Sequence, residues 1–145
     1  MSESCIFCRI IRGEIPSYKI YEDERTLAFL DINPSAPGHT LIIPKAHVTH
    51  LEDLSEEDAQ ALFRTLHGLV GGIQDAMEVP SSTIGINNGQ ESGQEAPHVH
   101  IHVIPRTRGD RGGIIQGLVK APNRPSAEEM LRITERIREH ASTLD

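Results

Sequence analysis

The chain has 145 residues, 37% of them hydrophobic and 24% charged, with a formal net charge of -7. That length suits one folded domain with an ordinary core, and the composition excludes a disordered chain. The acidic balance argues against non-specific binding to nucleic acid, though not against a small anion held by local backbone donors. No apolar run approaches the roughly 20 residues of a membrane span. The N-terminus lacks a basic region followed by an apolar one, so no secretory signal is expected and the expected location is the cytoplasm.

Cys5 to Arg12 reads as a short helix, with Ile6, Phe7, Ile10 and Ile11 at helical spacing and Gly13 ending it. Lys19 to Glu22 and Thr26 to Leu30 read as a strand hairpin across a polar turn. The stretch from Asn33 to Gly38 is rich in turn formers. Thr40 to Pro44 is an apolar run between breakers, read as a buried strand. Ser55 followed by three acidic residues predicts a helix start, and the helix runs to about Met77 with Leu62, Leu66, Leu69, Val70 and Ile73 on one face. Its Gly68, Gly71 and Gly72 lower helix propensity. Thr83 to Asn87 reads as a strand and Asn88 to Ala96 as a glycine-bearing loop. A flexible, locally basic stretch follows Pro105. Ser126 to Glu129 is a capping box opening an amphipathic helix with Met130, Ile133 and Ile137 on one face. Hairpins mixed with segregated helices predict an α+β fold with an antiparallel sheet. No internal repeat or clear domain boundary interrupts the chain, so residues 1–145 read as a single domain.

The most informative stretch is His98-Val99-His100-Ile101-His102-Val103-Ile104-Pro105. Histidine and a β-branched residue alternate three times, which is the period of a strand. Val99, Ile101 and Val103 are expected in the core, with the three histidines together on one exposed face. Neighbouring histidines at this spacing lie about 6.6 Å apart, and the outer two about 13 Å. Two of them can converge on one metal ion; all three cannot easily do so. The alternative chemistry is nucleophilic. Neutral imidazole attacks well near pH 7, because its unperturbed pKa is about 6.5. His100, with an imidazole on each side, is the natural nucleophile. Asn88, Gly89, Gly93 and Gln94 offer donors for an anion in the preceding loop. Cys5 and Cys8 form a Cys-x-x-Cys pair, which in an intracellular protein suggests a metal or redox role more than a structural disulfide.

These residues resemble the histidine triad (HIT) family, whose signature alternates histidine and apolar residues as His98 to Ile104 does. The likeness extends to the segment from Cys5 to Pro16, to Phe29 to Ile32, to Pro37 to Thr40, to Ile43 to His47, and to Gly93-Gln94 ahead of His98. It covers about residues 5–106, leaving 107–145 as a C-terminal extension. The resemblance implies a HIT fold: about five antiparallel strands with a short N-terminal helix, one long helix and a C-terminal helix. It implies a nucleotide hydrolase or transferase acting at the α-phosphate of a purine nucleoside phosphoramidate, phosphosulfate or dinucleoside polyphosphate. His100 would attack phosphorus to give a nucleotidyl-histidine, which water resolves to a nucleoside monophosphate. His102 would contact the phosphate and His98 would help fix His100. Asn88 and Gln94 match the phosphate-side donors. Asp31 matches the carboxylate that accepts ribose hydroxyls, and Ile6, Phe7, Ile10, Phe29 and Ile32 match the base pocket. Cys5, Cys8, His47 and His98 match the ligands of a structural Zn²⁺. A homodimer whose sheets join is also implied, with no nucleic-acid or membrane partner. His39 and His50 read as ordinary surface or packing histidines.

Two departures stand out. Glu95 occupies a nucleotide-side position where many relatives of this type carry Ser or Thr, and an ionised carboxylate there repels phosphate. The tail from Gly109 lacks the Trp-containing segment of such proteins. A nucleotide-binding regulatory or scaffold protein with vestigial turnover is the competing reading; the intact triad weighs against it. A third reading places one catalytic ion on the histidines; the span of the row and the few nearby carboxylates weigh against that.

Overall fold

A computed structural model of the chain describes residues 2–120 and 123–141. They fall into two compact units, Met1–Gly112 and Gly113–Asp145.

The first unit is built on a five-stranded antiparallel sheet. Its strands are β1 (Lys19–Glu22), β2 (Thr26–Leu30), β3 (Thr40–Pro44), β4 (Ser81–Gly85) and β5 (Ile101–Arg106), in the order β1-β2-β3-β5-β4. Two helices accompany it, α1 (Ile6–Ile11) and α2 (Glu56–Ala76). The expected α+β class and element order are therefore present. β4 starts two residues earlier than expected. The histidine segment becomes ladder-paired only at Ile101, so His98, in a bend, and His100 lie ahead of the strand.

Strand alternation divides the core in two. Leu27 and Phe29 of β2 and Leu41 and Ile43 of β3 share one face and pack with Cys5, Phe7, Cys8 and Ile10 of the α1 region. Ala28, Ile42, Ile101 and Val103 share the other and pack with Leu62 and Ile73 of α2. α2 begins at an N-cap Ser55 whose side chain accepts the Asp58 N–H, with Glu56, Glu57 and Asp58 in its positively polarised first turn. A buried 2.8 Å hydrogen bond between the Thr26 and Thr65 hydroxyls ties it to β2. Leu62 is fully buried there, and its truncation to Ala costs about 2–5 kcal/mol.

The second unit carries a 3-10 turn at Ile115–Gly117 and helix α3 (Ala127–His140). The expected capping box is present: Ser126 Oγ accepts the Glu129 N–H, and Glu129 Oε2 accepts the Ser126 N–H. Met130, Ile133 and Ile137 are all exposed, so the apolar face expected on this helix is not buried. Residues 142–145 of the expected extension lie outside the described residues.

Candidate active site and metal-ligand cluster

The exposed histidine face expected from the alternation is corrected by the structure. His98 is fully buried and His100 is 6% exposed; only His102 is half-buried. The cause is α1, which closes over this face. Phe7 stands edge-on to both rings, with centroids 5.8 Å from His98 and 5.1 Å from His100, and it also meets Phe29 at 5.7 Å. A strand pattern reports which face a side chain takes, not what later covers that face.

His98 looks away from the other two histidines. Its Nε2–H donates to the Pro44 carbonyl at 2.8 Å, which leaves Nδ1 as a bare lone pair. That nitrogen lies 3.4 Å from Cys5 Sγ, 3.7 Å from Cys8 Sγ and 3.2 Å from His47 Nδ1, and Cys8 Sγ lies 3.3 Å from His47 Nδ1. The edges of a tetrahedron with metal–nitrogen bonds of about 2.0 Å and metal–sulfur bonds of about 2.3 Å are about 3.3–3.8 Å. The four donors gather at close to those separations, so the set is of a size and chemistry to hold a tetrahedral cation. Local sequence explains the convergence. Cys5 is the N-cap of α1, and its sulfur accepts the Cys8 N–H, which puts both sulfurs on one turn. The segment after β3 then runs beside the segment before β5, with Val99 N–H donating to Val48 O, and this sets His47 against His98. Burial pushes the Cys8 thiol up and holds His98 down at about 4, so a cation meets a neutral imidazole there.

His100 is oriented by its neighbour's main chain. Its Nδ1–H donates to the His98 carbonyl at 2.8 Å. The proton is thereby fixed on Nδ1 and Nε2 keeps its lone pair. His98 thus faces the cysteines with its side chain and sets the His100 tautomer with its carbonyl.

At the other end of the row stands a residue that the sequence reading set aside. His39 is buried at 4% exposure, and its Nε2 lies 2.9 Å from His102 Nδ1. The Ser35 N–H donates to His39 Nδ1 at 3.0 Å, so His39 carries its proton on Nε2 and donates to His102. His102 is then protonated on its own Nε2. A donor chain runs from a backbone amide through two imidazoles. Asp31 Oδ2 lies 3.7 Å from His39 Nε2, while Asp31 Oδ1 accepts the Asn33 N–H. Desolvation lowers the pKa of His39 despite Asp31, and it holds His102 at about 4. Sheet register builds this group. Leu41 pairs with His102 and Leu30 with Thr40, so Asp31 and His39, one step beyond, fall on the His102 side of three adjacent strands. The signal in the sequence was parity, since residues 39, 41 and 43 share a face. Gly38 permits the bend before His39: its φ is +87°, and a Cβ there would meet Met77 at 2.5 Å.

The remaining expected site residues scatter more. Phe7, Ile10 and Phe29 are buried in the core under α1, whereas Ile6 and Ile32 are exposed at its rim. The Asn88 amide is spent within the loops, its Oδ1 accepting the Leu51 N–H and its Nδ2 donating to Glu52. The Gln94 amide accepts the Gly89 N–H and donates to the Thr49 and Ala96 carbonyls. Both side chains brace the loop that enters the histidine segment. Glu95, between them and the triad, is exposed.

A sheet that packs a short helix over a histidine row defines a class, and the comparisons name it: residues 12–109 match the HIT domain, and the chain belongs to that family. It is 42% identical over 120 residues to adenosine 5'-monophosphoramidase HNT1 of Saccharomyces cerevisiae, covering 81% of this chain and 71% of that one. It is 41% identical over 110 residues to adenylylsulfatase HINT3 of Arabidopsis thaliana, covering 76% and 56% respectively. A solved HIT-family structure from Bacillus subtilis superposes with a TM-score of 0.84 at 35% identity, covering 98% of this chain and 100% of that one.

Proposed function

We propose that the protein is a nucleotide hydrolase that cleaves at the α-phosphate of a purine nucleoside phosphoramidate or related nucleotide. The observation that carries this reading is the 2.8 Å bond from His100 Nδ1–H to the His98 carbonyl, which leaves Nε2 ready to attack. His100 Nε2 forms a bond to the α-phosphorus as the bond to the leaving group breaks. The leaving group departs with a proton drawn from solvent; water then adds to phosphorus, breaking its bond to His100 Nε2 and releasing the nucleoside monophosphate and a proton. His102, its Nδ1 engaged by His39, presents Nε2–H to a phosphate oxygen. Asp31 accepts ribose hydroxyls. Ile6, Phe7, Ile10, Phe29 and Ile32 border the base, and the loop bearing Asn88, Gln94 and Glu95 borders the phosphates. The two enzymes named above, one a phosphoramidase and one an adenylylsulfatase, support this class of reaction.

In the same reading Cys5, Cys8, His47 and His98 hold a structural Zn²⁺, supported by their donor separations. The ion would clamp the N-terminal helix onto the active strand. Residues 5–106 form the catalytic domain, with 107–145 as its extension. The protein is a cytoplasmic homodimer; in support, an apolar groove lined by Ile20, Leu30, Leu69 and Met77 runs beside Gly68 and Gly72 of α2. Among the described residues no helix is long and apolar enough to cross a membrane.

The test is direct. Incubation with an adenosine phosphoramidate, rapid quenching and intact-mass measurement should reveal a nucleotidyl adduct that His100→Ala lacks. An adduct persisting in that variant overturns the mechanism.

A further inference from the structure

The described residues hold two groups whose donor atoms could share an ion, and only one involves cysteine. The second is Asp31, His39 and His102, whose ligand atoms lie within 4.8 Å of one another. We propose that this group is a second, weaker site for a divalent transition cation, and that its occupancy shuts down the histidine row.

The geometry supports it in three ways. The two nitrogens that face each other, His39 Nε2 and His102 Nδ1, are 2.9 Å apart and share one proton. A cation held tetrahedrally by both needs them about 3.3 Å apart with their lone pairs converging beside the N–N line, so it displaces that proton with a small separation and a turn of the rings. Asp31 Oδ2, 3.7 Å from His39 Nε2, supplies a carboxylate oxygen on the same side. Two imidazoles and a carboxylate suit Zn²⁺, Co²⁺, Ni²⁺ or Cu²⁺ better than Mg²⁺ or Ca²⁺. The site is reachable, because Asp31 and His102 are half-buried, while His39 behind them is fixed in the wall.

The site is also built to be weak. With Nε2 on the ion, neutral His39 must carry its proton on Nδ1, which faces the Ser35 N–H. That hydrogen bond is lost on binding, and no thiolate compensates. The cysteine cluster therefore fills first, and the second site fills only when free cation rises. Occupancy breaks the amide–His39–His102 chain; His102 keeps its Nε2–H, but the ion turns its ring and engages the Asp31 carboxylate that the ribose hydroxyls need. The inhibitory part of this inference rests on the function proposed above; the binding part does not.

The experiment loads the full chain with one equivalent of Zn²⁺ and then titrates Co²⁺, following visible absorption. The expected result is a second equivalent with weak d–d bands and no sulfur-to-metal charge-transfer band. His39→Gln and Asp31→Asn should each weaken this step by about tenfold or more, with the first equivalent unchanged. Asp31 is near the surface, so its variant carries the test should His39→Gln fail to fold. Absence of a second equivalent, or a second equivalent indifferent to both substitutions, overturns the site. Formation of the nucleotidyl adduct should slow in step with Co²⁺ occupancy; an unchanged rate overturns the inhibitory role. Failure of the Zn²⁺-loaded protein to form any adduct before Co²⁺ is added would instead count against the proposed function.

Discussion

The two ends of the histidine row have the same residue type on the same face, yet they are opposite environments. His98 is fully buried, donates to a backbone carbonyl through Nε2, and presents Nδ1 to two sulfurs and an imidazole. His102 is half-buried and accepts a hydrogen bond at Nδ1 from His39, beside a carboxylate. One end is an anchor and the other is a donor. The difference shows that a histidine's chemistry is set by the partner on its second nitrogen, since that partner decides which nitrogen is bare. Between them, His100 takes its tautomer from the backbone of one neighbour and ring contact from the other, at a centroid distance of 4.9 Å from His102.

The comparison can be broken in several places. The largest effect is expected at its centre. His100→Ala should reduce turnover by a factor on the order of 10³ or more with little change in melting temperature, since nucleophile loss has no substitute in the row. Steady-state kinetics beside a thermal melt separate the two effects.

Next comes the anchor. With the proposed Zn²⁺ in the cluster, its removal by a chelator, or Cys8→Ser, should lower the melting temperature by about 10 °C, because the four donors would then clamp α1 to the sheet. Turnover measured well below that temperature should fall much less. Complete loss of turnover with an unchanged melting temperature would make the cluster catalytic rather than structural.

The donor end should respond in the opposite sense. His39→Gln is expected to lower kcat by about 100-fold, the lower end of the range for one proton-handling group, with KM changing little. A melting temperature that falls with no change in kcat would reduce His39 to packing.

Acid should weaken the fold at both ends. In the unfolded chain His98 and His102 titrate near their usual 6.5, whereas burial holds each at about 4 in the folded chain. Between those values the unfolded state binds more protons. Stability is therefore fully present above about pH 6.5 and is lost as pH falls toward 4. In metal-free protein the melting temperature should drop across that window, and His102→Gln should make the drop shallower.

The smallest effect belongs to the loop. Glu95→Ser removes an exposed carboxylate ahead of the triad and is expected to raise the rate with poor leaving groups by a few-fold. An identical rate with a panel of phosphoramidates would mean the side chain points away from the reaction.

Much of this was legible in the chain. The period-2 pattern from Val99 to Val103 placed three apolar residues in the core, where they lie, packed with Leu62 and Ile73 of α2. Ser55 with its acidic first turn, and Ser126 with Glu129, announced helices that begin where those residues cap them. Cys5 and Cys8 were readable as a pair because a spacing of three puts both side chains on one helical turn. For His39, parity with Leu41 and Ile43 gave the face and not the partner. Nothing within ten residues of it marks it as a partner of His102, since that contact spans 63 positions and depends on the pairing of β2, β3 and β5. Nor could the alternation foresee that α1 would bury His98 and His100.

The sequence by itself determined the elements, the shared face of the histidines and the residue types whose chemistry suits holding a cation or attacking phosphorus. Those are local matters, governed by side-chain period, capping and intrinsic chemistry. Only the tertiary structure decided which nitrogen of each histidine is bare. That choice rests on the Pro44 carbonyl for His98, the His98 carbonyl for His100 and the Ser35 amide, through His39, for His102. A tautomer is fixed by a hydrogen bond of about 3 Å, and such bonds exist only once distant strands are in register.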